Sequence, residues 1–133
     1  MLASNGALRS VYQYFVLDRI GRDLVMAEGH NPVRDRAELI ELLMRRGEFD
    51  RPARILALNF VDGCAFDLSE ETAGELVDHV AETDAELPEP TRRFCNQFVE
   101  VRKRLRALER AGRRMSKRIG TKTESREEIR IAA

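Results

Sequence analysis

Apolar residues recur along this chain mostly three and four positions apart, the spacing of one face of a helix. Leu8, Val11, Tyr12, Phe15, Val16, Ile20 and Leu24 keep that interval, which predicts a first helix over residues 4–28, capped by Ser4 or Asn5 and stopped by Gly29 and Asn31-Pro32. Gly21 lies inside it as a bend or a close approach. A second helix is predicted from Asp35, whose carboxylate can cap it with Glu38 reaching back; Leu39, Ile40, Leu42 and Leu43 build its buried face and Gly47 ends it. Asp50 and Pro52 open a third, carrying Ile55, Leu56, Leu58 and Val61 to Gly63. Ser69 caps a fourth, with Ala73, Leu76, Val77 and Val80 inward and Glu71, Glu75, Asp78 and Glu82 outward. The connector Thr83–Pro90 leads into a fifth and longest helix, from about 88 to 118, ended by Gly120.

The expected fold is therefore all-α: one bundle of about five helices over residues 1–120, with a long basic C-terminal helix and a flexible tail at 121–133. The corner Arg46-Gly47-Glu48-Phe49-Asp50-Arg51-Pro52-Ala53 resembles the turn between the two helices of a tetratricopeptide repeat. The resemblance covers about 24 residues with no second copy at the repeat's period of about 34, so it implies an αα-hairpin and not a repeat array.

On the fifth helix, Phe94, Phe98, Val101, Leu105, Leu108, Gly112, Met115 and Ile119 write a heptad seam. Val101, Leu105, Leu108 and Met115 are its protein-interaction candidates, able to form a coiled-coil homodimer or to pack inside the bundle. Opposite them Lys103, Arg106, Arg110, Arg113 and Lys117 form a basic ridge that could follow a phosphate backbone.

Charge sharpens that picture. Residues 62–89 carry ten carboxylates and no Lys or Arg, whereas residues 92–118 carry eleven Lys or Arg against Glu100 and Glu109. The ridge is thus either a nucleic-acid surface or a face neutralised by Glu71, Glu75, Asp78 and Glu82. No aromatic residue interleaves with Lys103–Lys117 to stack on bases, which favours neutralisation.

Candidate chemistry is sparse. His30 and His79 are the two imidazoles; Glu75 and His79 stand four apart but make an unspecific pair, and Cys64 and Cys95 lack the spacing of a structural zinc site. No catalytic constellation, metal site or cofactor is expected. Without a membrane-length apolar run or a leader pattern, the expected protein is cytoplasmic. Its expected role is that of a non-enzymatic regulatory or adaptor protein working through helix-mediated protein contacts, with a homodimer possible; the alternative is a nucleic-acid-binding regulator using the ridge.

Overall fold

The computed structural model describes residues 11–27, 29 and 31–112, and it overturns the all-α bundle. Four strands, β1 (Tyr12–Ile20), β2 (Asp23–Met26), β3 (Pro52–Asn59) and β4 (Cys64–Asp67), form one antiparallel sheet in the order β2-β1-β3-β4. Helices α1 (Arg36–Met44), α2 (Ser69–Thr83), α3 (Glu89–Asn96) and α4 (residues 99–112) complete an α/β fold.

The caps expected for the first helix, Ser4 and Asn5, lie outside the described residues, and within its segment β1 and β2 form a hairpin. Gly21 is its turn: at φ 61° it takes the first place of the two-residue Gly21–Arg22 loop, where a type II′ hairpin needs positive φ. Tyr14, Phe15 and Val16 are aromatic or β-branched, shapes that fit a pleated strand better than a helix. The expected third helix is also a hairpin, so the tetratricopeptide-like αα corner is absent. Pro52 starts β3, where its missing N–H breaks no ladder bond, and the register against β1 shifts beside it between Leu17 and Asp18. Asn59 shapes the β3–β4 turn: its Oδ1 accepts from the N–H groups of Val61 at 3.0 Å and Asp62 at 3.1 Å, and Gly63 closes the turn at φ 69°.

Asn31 extends the β1 ladder with a side chain. It accepts from the Val16 N–H at 2.9 Å and donates to the carbonyls of Val16 and Ala27, while Val33 exchanges backbone bonds with Tyr14.

The core lies between one face of the sheet and the helices. Val16 and Ile55 from the strands meet Leu39 and Leu43 of α1, Leu76 and Val77 of α2 and Phe94 of α3, all essentially inaccessible. Helix α1 keeps the predicted cap, with Asp35 accepting from the Ala37 N–H at 2.7 Å. Ser69 departs from its predicted role as a cap. Its buried hydroxyl accepts from the Ile55 N–H at 2.8 Å and donates to Asp67, clasping β3 to the start of α2. Thr91 likewise donates to the Leu43 carbonyl at 2.6 Å, tying α3 to α1.

The expected long fifth helix is broken. The backbone N–H groups of Gln97 and Phe98 each bond three residues back, and the Gln97 side chain donates to the carbonyls of Phe94 and Ala53. This tightened turn separates α3 from α4 and lets both lie on the core. Among the described residues the helix expected to run unbroken from about 88 is interrupted at Gln97 and Phe98, so the expected continuous coiled-coil seam is not formed across that point. No helix among the described residues is long and apolar enough to cross a membrane.

Candidate protein interface

Strand alternation sorts the sheet into two faces. Tyr14 and Val16 of β1 and Ala53, Ile55 and Ala57 of β3 point toward the helices and are buried. Their neighbours Gln13, Phe15, Leu17 and Arg19, with Arg54, Leu56 and Leu58, point the other way. No residue of this second set belongs to the hydrophobic core or to the half-buried residues packed against it.

The pairing register places the apolar members of the open face in a diagonal stripe. Met26 on β2 pairs with Leu17 on β1, Phe15 on β1 pairs with Leu56 on β3, and Leu58 on β3 pairs with Ala65 on β4, while Leu24 on β2 is opposite Arg19 and diagonal to Leu17. Leu24 is 43% and Met26 58% exposed, while Phe15, Leu17, Leu56 and Leu58 are half-buried. A strand-centred aliphatic surface with no helix over it, among the described residues, is the kind of patch that marks an interaction site. Alongside it runs a second diagonal, Arg19, Arg54 and Asp67, in which Arg54 Nε stands 3.9 Å from Asp67 Oδ2.

The candidates on α4 divide. Val101 and Leu105 are 5% and 2% exposed within the core, and Leu108 packs against it, so these three turn inward; Met115 lies outside the described residues. Of the ridge, Lys103 is exposed beside Glu100 at 3.4 Å, and Arg106 and Arg110 are exposed with no ion-pair partner among the described residues. Arg113 and Lys117 lie outside them. Between the acidic α2 and the basic α4, one ion pair forms among the described residues, Asp78 with Arg104, while Glu75 of α2 pairs instead with Arg36 of α1. Neutralisation of the two oppositely charged segments is therefore partial.

Two hollows flank α2. An open cleft of about 1000 Å³ follows the connector between α2 and α3, with Leu87, Pro88 and Leu108 along it and the Arg92–Glu109 pair, at 2.7 Å, across it. A shallower groove between α1 and α2 has Ile40 and Met44 below a rim of Glu41, Glu75, Asp78 and Glu82. Among the described residues, no group of three or more His, Cys, Asp or Glu side chains is arranged to hold a metal ion. Burial pushes the Cys95 thiol up to about 12, which keeps it protonated; its Sγ lies 3.8 Å from the Ala73 carbonyl. Cys64 is exposed, and both cysteines are free thiols.

The open face does not stand out in the sequence because its residues also fit a helical spacing. The signal was there in two turn sequences, Ile20-Gly21-Arg22-Asp23 and Asn59 through Gly63, each between runs rich in branched or aromatic residues. Comparison of the chain with protein-family models, with curated proteins and with solved structures finds no match.

Proposed function

We propose that this chain is a non-enzymatic regulatory or adaptor protein that acts by protein–protein contact, and that the open face of its sheet makes the contact. The observation that carries this reading is the aliphatic stripe across β2, β1, β3 and β4, which lies outside the core. Its composition points to a protein rather than a nucleic acid. A sheet that binds single strands offers aromatic rings for bases, and among the described residues Phe15 is the one aromatic on this face. A cytoplasmic setting fits the two free thiols.

Site-specific photo-crosslinking tests the reading. A photoreactive residue at position 56 is expected to yield adducts destroyed by protease and untouched by nuclease, and one at the buried position 55 is expected to yield none. Absence of protein adducts at position 56 sinks the proposal.

A second reading rests on Arg106 and Arg110, exposed and free of ion pairs among the described residues next to Lys103. This short ridge supports a phosphate-binding role. Titration with duplex DNA and RNA at low and high salt decides it: phosphate contact weakens steeply as salt rises, and no binding at low salt eliminates the idea.

A further inference from the structure

We propose that the partner on the open face is a second copy of this chain, bound face to face about a two-fold axis that crosses the apolar stripe; the proposal rests on the reading of that face as a protein-binding surface. The order of charges beside the stripe carries it. Arg19, Arg54 and Asp67 occupy β1, β3 and β4 in turn, each displaced by two residues along the strands, so they form one row parallel to the stripe. A two-fold operation reverses that row. Arg19 then stands opposite Asp67 of the partner subunit and Asp67 opposite the partner's Arg19, giving two complementary contacts at the rim.

The same reversal lays the stripe on itself, with Leu17 opposite the partner's Phe15 and Met26 opposite the partner's Leu56. Only Arg54 meets its own counterpart, and each Arg54 shares Asp67, 3.9 Å away, with the partner subunit's Arg19. A strongly acidic or strongly basic partner would find one end of the mixed row repulsive, whereas a second copy meets each end of the row with the opposite charge.

Size sets the strength. Four strands about 4.8 Å apart, about 20 Å long on average, offer roughly 400 Å² per copy, half the roughly 800 Å² per partner of a standard stable interface. The expected complex is a transient homodimer.

Sedimentation velocity on the full chain from about 1 μM to about 1 mM, the range where such small interfaces associate, tests this. The wild type is expected to shift from monomer to dimer across the range. Leu17→Lys is expected to remain monomeric throughout with an unchanged circular dichroism spectrum. Arg19→Asp is expected to weaken the dimer about tenfold, because each contact occurs twice, while Arg19→Lys retains most of it. A wild type that is monomeric at every concentration overturns the proposal, as does a dimer undiminished by Arg19→Asp. If Leu17→Lys fails to fold, the Arg19 variants decide, since that side chain is exposed. A monomeric wild type that still gives protein adducts from position 56 removes the second copy and leaves the protein-binding reading standing; no adducts at all removes both.

Discussion

Ile55 and Leu56 are neighbours on one strand, chemically near-identical, and they live in different surroundings. Ile55 is wholly buried between β3 and the helices, and its N–H is held by Ser69; Leu56 is half-buried on a face that no described helix covers. The difference shows that the sheet carries more apolar residues than the described helices cover. Apolar burial that stabilises the fold is concentrated, among the described residues, on the helix side of the sheet.

The largest effect that can break this comparison is in the core. Ile55→Ala is expected to lower stability by about 2–5 kcal/mol in chemical denaturation, and Leu56→Ala by less than about 1 kcal/mol in dilute protein. Equal costs would mean that the outer face is covered. Next comes Ser69→Ala, which leaves the Ile55 N–H buried without its acceptor and is expected to cost about 1–3 kcal/mol; a cost near zero would show that the clasp between β3 and α2 is not structural.

Smaller again is the change at Gly21, where φ is 61° with open space around the missing side chain. Gly21→Ala is expected to cost about 1–2 kcal/mol through backbone strain alone, with the β1–β2 amide shifts perturbed and the core shifts retained. A neutral substitution there would contradict the II′ turn.

The smallest effect is at Asp18. Burial first and the neighbouring Asp50 carboxylate second raise its pKa, partly countered by backbone hydrogen bonds from Arg51 and Asp50. Because the folded-state pKa lies above the unfolded value, its stabilising contribution is present at acid pH and is lost as pH rises through the raised value. Asp18→Asn is therefore expected to raise stability slightly at neutral pH and to flatten its pH dependence. A variant less stable at neutral pH than at pH 4 relative to the wild type would reverse the sign and refute the assignment.

How much of this was legible in the sequence differs between the two halves of the chain. Helix α1 could be read from its Asp35 cap, and α2 from Ala73, Leu76 and Val77, because polar residues on the solvent face of α2 make its period visible. The strands hid themselves. Leu17 and Leu56 on the outer face are as apolar as Val16 and Ile55 on the inner one, so polar and apolar residues do not alternate and the runs match a helical template by coincidence. Val101 and Leu105 were recognisable as a buried seam, but the sequence could not show that the core, rather than a second helix, receives them. The interaction stripe depends on strand register across four separate segments, and register is a property of the folded sheet.

Methyl NMR with a soluble paramagnetic agent, recorded from dilute to concentrated protein, tests the difference between the two faces most directly. The methyl groups of Leu17, Leu24, Met26, Leu56 and Leu58 are expected to be strongly relaxed at low concentration and progressively shielded as concentration rises, while those of Leu39, Leu43 and Ile55 stay shielded throughout. Outer-face methyls already shielded in dilute protein, or still fully relaxed at the highest concentration, would contradict the account.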